Sequence, residues 1–394
     1  MTGRGGWVAT VLVLFVLAFF LAFTPVRIVR YFAALAILLV VASYVYTRIL
    51  PHAITVSRVN ETERGIKLQD IDLRLRVRNR SILPIPYFTI ADAHGQLFTR
   101  SNSWLMSLGP FEERVVEYTV QGQSRGEFAL GPVTTEGNGP FGMFAWGQQF
   151  EARGSVIVYP TIHPLDLMYN QGLPSGSLRI NDKMYEDVTQ FRSLREYVAG
   201  DDMKRINWKA SAKTDKLFTM EFDSTLYFPV MVVLNLCRND YPMRQRESLT
   251  ERAAEVAASI PFFYAKLKQE IGFVSTGGIP GSTGYTTAPI KAGYGHAQRI
   301  LELIAKLSPV DGHADFNEIL YETGVSIPMG TKVIVVSPPF RQPQADVLIA
   351  AKRKGMNLLA FQIESQMERA EETHVSGAFP VVSVRRLEGE TIHG

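Results

Sequence analysis

Two apolar runs near the start of the chain constrain its fold more than any other feature. Residues 7–23 carry no charged side chain, and residues 31–50 carry only Arg48. A helix over the first run would be about 25 Å long, a little less than the roughly 30 Å hydrocarbon core of a bilayer. A single helix through both runs would bury Arg27 and Arg30 in lipid, at roughly 2.5 to 3.5 kcal/mol each. We therefore predict a transmembrane helical hairpin over residues 1–52, with residues 24–30 as its loop.

The arginines near this hairpin predict its orientation. Both ends of a hairpin lie on one side of the membrane, and the side richer in Lys and Arg faces the cytoplasm. Arginines outside the loop outnumber Arg27 and Arg30 inside it: Arg4, Arg48, Arg58 and Arg64. We therefore expect the rest of the chain to be cytoplasmic. A cleaved signal peptide is the alternative for the first run, but the second run follows at once.

Composition restricts the class of protein further. The net charge of +3 over 394 residues gives no support for nucleic-acid binding. Cys237 is the single cysteine, so no internal disulfide can form, which suits a reducing compartment. The length suffices for two or three domains.

Residues 53–160 have the period-two pattern of a small antiparallel β-sandwich. Apolar and charged side chains alternate in its clearest stretch, with Ile71, Leu73, Leu75 and Val77 on one face and Asp72, Arg74, Arg76 and Arg78 on the other. Further strands are predicted at residues 54–58, 96–99, 114–120 and 155–159. The arginine row has two interpretations, contact with anionic headgroups or a solvated face, and the second is the simpler.

Residues 228–394 alternate between buried strands and amphipathic helices, which predicts an α/β domain with a mostly parallel sheet. The predicted strands are residues 229–236, 271–275, 332–337, 357–363 and 381–385, and residues 285–290 are expected to add an antiparallel edge. The predicted helices are residues 249–267, 297–307, 315–323 and 345–354. The whole chain is thus predicted to be an α+β multidomain protein.

Residues 161–227 form a predicted connector with a dense central stretch of charge and aromatic rings. Asp202 is a favoured helix N-cap, so we expect a helix to begin near it. Arg205 and Lys209 would then lie one turn apart, with Trp208 between them. The stretch is either a connector held by surface ion pairs or a docking surface, since Arg, Trp and Tyr dominate interface hot spots.

The order of residues in this stretch resembles a family of bacterial membrane proteins, the domain of unknown function 58 family. The matching residues are Arg195, Tyr197, Gly200, Asp201, Arg205, Trp208 and Ser211, with Asp202 beside them and Lys213 in place of the family's Arg. A second match lies upstream at Gly131, Pro132, Pro140, Phe141 and Gly142. Ala199 and Gly139 depart from the family's Pro and Asp.

The resemblance implies a location, a domain type and a partner. Family members lie in the bacterial inner membrane, carry a C-terminal von Willebrand factor A-like domain, and commonly accompany MoxR-type AAA ATPases. The resemblance therefore implies a membrane-anchored interaction or scaffold protein, working with such an ATPase in the assembly or maturation of envelope or other complexes.

Metal binding is not expected in the A-like domain. Related domains that bind Mg²⁺ carry Asp-x-Ser-x-Ser after the first strand, because this cation prefers oxygen ligands in octahedral positions. The corresponding residues here are Asn235, Cys237 and Asn239, and Arg238 adds a positive charge. We predict a degenerate site without metal, with Asp240 as the nearby carboxylate, and we expect no cofactor.

Enzymatic activity is the second hypothesis. An envelope-associated hydrolase would use Asp201 and Asp202 of the central stretch. The sequence has no recognisable nucleophile elbow or metal-ligand spacing, and the Gly-rich residues 275–285 lack the Gly-Lys-Ser/Thr ending of a phosphate loop. The sequence therefore favours a protein that is not an enzyme, in which Arg205 pairs with Asp201 or Asp202 and Trp208 packs against a neighbouring domain.

Overall fold

The structure is a computed structural model. It describes residues 4–99, 101–166, 177–179, 186–199, 201–214, 216–227, 229–279, 285–310, 316–328, 330–364, 378–384 and 392–393. The chain divides into two compact units, Met1–Pro160 and Thr161–Gly394. The finer division into four domains stays a prediction.

The first unit begins with two helices in contact, α1 (Arg4–Phe23) and α2 (Arg27–Ala53). α2 is long and apolar enough to cross a membrane, whereas the described apolar part of α1, Val11–Phe23, is shorter. The predicted loop was wrong, because Arg27 and Arg30 lie in the first turn of α2. Pro25 interrupts the helix, but no Pro or Gly follows until Pro51, so α2 begins only two residues later.

Ten strands follow α2 and form three sheets around a shared core. Their order in the sheets is β1-β3-β6, β2-β10-β7 and β5-β4-β8-β9. Their bounds are β1 (Ile54–Arg58), β2 (Thr62–Ile66), β3 (Asp70–Asn79), β4 (Ile85–Asp92), β5 (Ser103–Leu108), β6 (Glu113–Gln121), β7 (Gly126–Leu130), β8 (Val133–Asn138), β9 (Ala145–Phe150) and β10 (Gly154–Tyr159). We call these ten strands the sandwich.

The alternating pattern of β3 is confirmed, because its apolar side chains are buried and its charged ones exposed. Arg74 and Arg76 pair across strands with Glu117 and Glu113, each at 3.1 Å, as expected of a solvated face. Two details differ from the prediction. β2 and β10 run parallel, and residues 96–99 contribute an isolated bridge at Phe98 in place of a strand.

A buried ion pair lies inside the sandwich. The Nη2 atom of Arg58 donates to both carboxylate oxygens of Asp92, at 2.7 and 2.9 Å, and the two side chains are 4 % and 0 % exposed. Tyr118 also donates to Asp92, and Arg58 Nε donates to the carbonyl of Ala152 at 2.8 Å. Burial, followed by the bond to Asp92, raises the pKa of Tyr118, so this hydroxyl stays protonated.

The second unit contains a six-stranded mixed sheet in the order β17-β16-β15-β18-β19-β20. All neighbours run parallel except β16 and β17, which confirms the predicted antiparallel edge. The strand bounds are β15 (Val230–Leu234), β16 (Glu270–Ser275), β17 (Thr286–Ala292), β18 (Lys332–Ser337), β19 (Asn357–Ile363) and β20 (Val381–Val384). The accompanying helices are α4 (Arg246–Lys266), α5 (Tyr294–Lys306), α6 (Phe316–Ser326) and α7 (Gln342–Arg353).

The predicted connector also contains regular structure. It holds β11 (Leu165–Asp166), β12 (Ser177–Arg179), β13 (Glu186–Glu196), α3 (Trp208–Thr214) and β14 (Phe218–Tyr227), and β11 pairs with β21 (Ile392–His393). β12, β14 and β13 form an antiparallel sheet. The sequence did not reveal these strands, because charged and apolar residues do not alternate regularly along β13 and β14.

We expect Asp92→Asn to reduce the free energy of unfolding of the first unit by about 3 to 5 kcal/mol, because Arg58 would stay buried without its counter-charge. Urea unfolding of the full chain in detergent micelles measures this. Tryptophan fluorescence is a suitable signal, since Trp104 stacks on Tyr118 with ring centroids 4.6 Å apart. The control is Glu117→Gln at the exposed pair with Arg74, which should cost about 0 to 1 kcal/mol. Equal losses in the two variants would contradict this assignment.

Candidate functional site

The stretch that matches the family pattern is held between two paired strands. Arg195 lies opposite Thr219 and Glu196 opposite Phe218 in the register of β13 and β14. Tyr197 N then donates to the carbonyl of Leu217 at 2.8 Å. The chain therefore leaves β13, makes one excursion and returns to its partner strand. We call residues 195–213 the signature segment.

Asp201 organises the first half of the signature segment. One carboxylate oxygen accepts from Arg195 Nη2 at 2.7 Å, and the other accepts from the backbone N–H of Val198 at 3.1 Å. The Tyr197 hydroxyl reaches the backbone carbonyl of Asp201 at 3.5 Å. The Asp201 side chain is only 10 % exposed, so its charge is used within the turn. Gly200 lies outside the described residues.

The predicted helix near Asp202 is only a single 3₁₀ turn, Met203–Arg205. Asp202 does cap it, accepting from Lys204 N at 3.0 Å, and Arg205 Nε lies 4.0 Å from the same carboxylate. The turn ends because Ile206 is buried in a bridge to Thr219. Arg205 and Lys209 are therefore not neighbours on one helix.

A second cap starts α3 at Trp208. The Asn207 side-chain oxygen accepts from Ala210 N at 3.0 Å. The buried Ser211 hydroxyl donates to the Asn207 carbonyl and accepts from Phe218 N, both at 2.9 Å. Ser211 thus joins α3 to β14. Lys213, in the last turn, is exposed.

Other side chains of the signature segment face solvent. Trp208 is 62 % exposed, so the expectation that it is buried was wrong. Val198 and Met203 are exposed to a similar degree, and Lys204 and Lys209 are exposed as well. We call these five residues the docking surface. Exposed Trp and Met side chains are enriched at protein interfaces.

The upstream motif lies in the other unit, at two turns of the sandwich. Gly131 has a φ of +89°, and a Cβ there would lie 2.9 Å from the carbonyl of Ala152, so only glycine fits. Gly131 N donates to Ala93 O at 2.6 Å, and Pro132 O accepts from Ala93 N at 3.3 Å. Pro140, Phe141 and Gly142 form a 3₁₀ turn beside α2, where Pro140 O accepts from Ser43 Oγ at 2.8 Å. Each turn of this motif is thus held within the first unit.

A polar network occupies the carboxyl ends of β15 and β18. The chain adds β16 and β17 on one side of β15 and then adds β18 on the other side. Open α/β sheets bind ligands at the point where the strand order reverses in this way. The Asn235 amide group donates to Asp240 Oδ2 at 2.8 Å and to Ser337 Oγ at 3.2 Å. Gln344 Nε2 also donates to Asp240 Oδ2, at 3.0 Å, and Arg341 Nη1 lies 3.8 Å from the other oxygen.

Hydrogen bonds of this network fix the orientation of the Asn235 amide, and whether the site binds metal stays a prediction. Cys237 N donates to Asn235 Oδ1 at 3.0 Å, which fixes the orientation of the amide and points its N–H groups at the oxygens of Asp240 and Ser337. An amide therefore lies where a cation would meet these oxygens. Asn239 contributes its backbone carbonyl, which accepts from Arg341. In the part of the chain that the structure describes, no three His, Cys, Asp or Glu side chains are grouped to hold a metal.

Sequence reasoning missed Ser337, Gln344 and Arg341 in this network. Ser337 ends a predicted strand, so its place at the sheet edge was available as a signal. Gln344 and Arg341 come from the start of α7, more than a hundred positions from Asn235, and no local pattern connects them.

Comparisons with known proteins place the chain as follows. Residues 193–373 match the model of a family described as protein of unknown function DUF58. The match covers the whole signature segment and much of the mixed sheet, and it supports assignment to this family. No curated protein matches the chain.

Among solved structures, the chain is similar to the CARDB domain of a Pyrococcus furiosus protein in complex with di-metal ions, at 17% identity and a TM-score of 0.20, covering 27% of this chain and 91% of that one. It is also similar to the sporulation control protein Spo0M of Bacillus subtilis, at 11% identity and a TM-score of 0.17, covering 27% and 48%. TM-scores this low carry no argument about fold or function.

We expect Asn235→Asp to destabilise the second unit by about 3 to 5 kcal/mol, because it places a buried second carboxylate against Asp240. Mg²⁺ should restore the melting temperature of this variant, since the cation would replace the lost amide contacts, and leave the wild type unchanged. Asn235→Leu is the control. It loses the same hydrogen bonds without adding charge, so Mg²⁺ should not restore it. A Mg²⁺-dependent rise in the wild-type melting temperature would contradict the network as described.

Proposed function

We propose that the chain is a membrane-anchored, non-enzymatic interaction protein of the DUF58 family, and that the signature segment binds a protein partner. One observation carries the proposal. The carboxylates of Asp201 and Asp202 are engaged in the segment's own turns, whereas Trp208 and its apolar and basic neighbours face solvent. Partly buried Asp201 thus serves the fold, and the docking surface is left for recognition.

The hydrolase alternative fits these contacts less well. A general acid or base must reach a substrate atom within hydrogen-bonding distance. Both oxygens of Asp201 are engaged by Arg195 and the Val198 N–H, and Asp202 caps the turn at Lys204. Neither carboxylate lines an open cleft with a neighbouring nucleophile among the described residues, which favours the interaction protein.

We further propose that the mixed sheet is a von Willebrand factor A-like domain that has lost its metal. The central strand β15 followed by Asn235, and the polar network at the carboxyl ends of β15 and β18, support this proposal. The partner class comes from the family resemblance, which names a MoxR-type AAA ATPase acting in complex assembly or maturation.

The proposed anchor is a membrane hairpin made of α1 and α2, with the rest of the chain in the cytoplasm of the bacterial cell. α2 meets the length and composition of a membrane span, and α1 contacts it. Arg27 and Arg30 begin α2 beside the 24–26 connection, and the arginines at the other end of the hairpin still outnumber them, which favours this orientation.

We expect a green fluorescent protein fused to the C-terminus to fluoresce and alkaline phosphatase fused there to be inactive, because the C-terminus is cytoplasmic. The matched control fuses the same reporters after Thr24, between the two helices, where the opposite pattern should appear. An active C-terminal alkaline phosphatase would overturn the orientation.

We expect Trp208→Ala to weaken binding of the purified AAA ATPase at least about 30-fold, since a hot-spot side chain contributes 2 kcal/mol or more. Its melting temperature should stay close to that of the wild type, because Trp208 is exposed. Asp201→Asn should instead lower stability by about 1.5 to 3 kcal/mol, through lost charge-assisted hydrogen bonds. Biolayer interferometry and thermal unfolding measure the two effects.

The matched control is Tyr321→Ala, which removes another exposed aromatic side chain, on α6. It should change neither binding nor melting. Trp208→Ala binding the ATPase as the wild type does, or losing stability as Asp201→Asn does, would move recognition away from this surface.

A further inference from the structure

One end of the sandwich is built around the last turns of α2. The turn at residues 80–84 meets the helix end, where Arg80 N donates to Ala53 O at 2.8 Å. The turn at residues 109–112 lies beside it, since Phe111 N donates to Ser81 O at 3.1 Å. The turn at residues 139–144 reaches further up the helix, to Ser43. We call these three turns the α2 end of the sandwich.

The joint between α2 and this end is tight. Gly139 approaches Thr47 so closely that a Cβ would collide with the threonine hydroxyl. The Tyr44 and Phe144 rings pack edge to face with centroids 5.4 Å apart, and the Tyr46 hydroxyl donates to the carbonyl of Pro84. These contacts hold the sandwich turns against α2 from Ser43 onward.

The free length of α2 is too short to hold the sandwich clear of a bilayer. Arg30 marks the charged start of the helix, and Ser43 is the first residue bonded to the sandwich. The helix rises about 20 Å between them, whereas the hydrocarbon core is roughly 30 Å thick. A bilayer that covers α2 from Arg30 therefore extends alongside the turns that contact Ser43 and Thr47.

The side chains of these turns suit that position. Ile82 is 74 % exposed, and Phe111 and Met143 are also exposed apolar side chains, one on each turn. Arg48 and Arg80 near these turns are exposed. Tyr44 and Tyr46 supply the amphipathic rings typical of a membrane interface. The nearby carboxylate of Glu112 is paired with Arg114 at 2.5 Å. Apolar tips with basic residues fit an anionic lipid surface.

We propose that the α2 end of the sandwich inserts into the membrane interface, with Ile82, Phe111 and Met143 at the level of the headgroups and upper acyl chains and with Arg48 and Arg80 against anionic phosphates. The proposal rests on the membrane anchor proposed above and goes beyond it. The sandwich is a lipid-binding module fixed to the bilayer, and α2 is the helix beside which its three turns lie.

The opposite end of the sandwich provides a matched reference. β3 has ten residues and leads from Asp70 to Asn79, so its two ends lie about 30 Å apart. Asn79 N donates to Glu112 O at the α2 end, whereas Leu68, just before β3, donates to Gly122 O at the other. Leu68 is 59 % exposed. It is a comparable apolar side chain that the proposal keeps in water.

The test uses the full chain in nanodiscs that contain anionic phosphatidylglycerol. Single cysteines replace Leu38 of α2, Ile82, Met143 or Leu68 in a Cys237→Ser background, and each is labelled with an environment-sensitive fluorophore. Lipids with a nitroxide high on the acyl chain quench labels near the interface, and lipids with a nitroxide low on the acyl chain, used in separate discs, quench labels near the bilayer centre, such as the one at Leu38. We expect the labels at Leu38, Ile82 and Met143 to lose fluorescence relative to quencher-free discs, and the Leu68 label to keep it.

The outcomes separate the two proposals. If the Leu38 label is quenched while either the Ile82 or the Met143 label stays as bright as the Leu68 label, the anchor stands and interface insertion is overturned. If the Leu38 label is itself unquenched, both the anchor and the insertion are overturned. Quenching of the Leu68 label would also contradict the proposal, because it would place the whole sandwich in lipid.

Discussion

The close approach of α2 to the backbone at Gly139 determines how the apolar start of the chain joins its folded part. A helix long and apolar enough to cross a membrane and a folded sandwich need a joint that leaves no buried polar group unpaired. Ser43 and Thr47 provide it, because Ser43 Oγ donates to Pro140 O and Thr47 Oγ1 donates to Ser43 O at 2.7 Å. Gly139 departs from the family's Asp, and the structure gives a reason, since any side chain there would displace Thr47.

Carboxylates with little exposed surface have an arginine neighbour in both units. Asp92 faces Arg58 in the sandwich, Asp201 faces Arg195 in the signature segment, and Asp240 faces Arg341 at the strand ends. Each carboxylate also accepts from a neutral donor, which satisfies its remaining lone pairs. Such pairs are costly to break but add little net stability. They specify one arrangement of turns, and that is a structural role, which is why acidic residues alone did not mark a catalytic site.

The sequence predicted elements whose hydrophobic period is unambiguous. The alternation in β3 and the apolar runs of β15, β18 and β19 became strands as expected, because burial on one face or on both leaves a direct trace in residue order. α2 begins earlier than predicted. Arg27 and Arg30 do not prevent a helix, and only Pro25 interrupts it. The helix at Asp202 was also misplaced. Asn207 offers a competing cap five residues later, and the burial of Ile206 decides between them.

The candidate site residues show the same contrast between local sequence patterns and contacts made by distant residues. Asp201, Arg205 and Trp208 were found because they form a linear motif, but their roles depend on β13 and β14, whose irregular pattern hid them. The strand-end network depends on contacts between distant parts of the chain, so only Asn235 and Asp240 were visible in sequence.

Arg341 supplies a positive charge at the strand ends of the second unit. At the ends of β15 and β18, Arg341 lies 3.8 Å from Asp240, and the Asn235 amide donates to the same carboxylate. The carboxylate thus has its partners within the chain. Trp208 is the largest exposed side chain of the signature segment, and it lies on a helix fixed at both ends, by Asn207 and by Ser211. A partner that buries it loses little conformational entropy in the segment, because the helix is already ordered. The tight internal bonding of the segment therefore holds Trp208 in an ordered position at the surface.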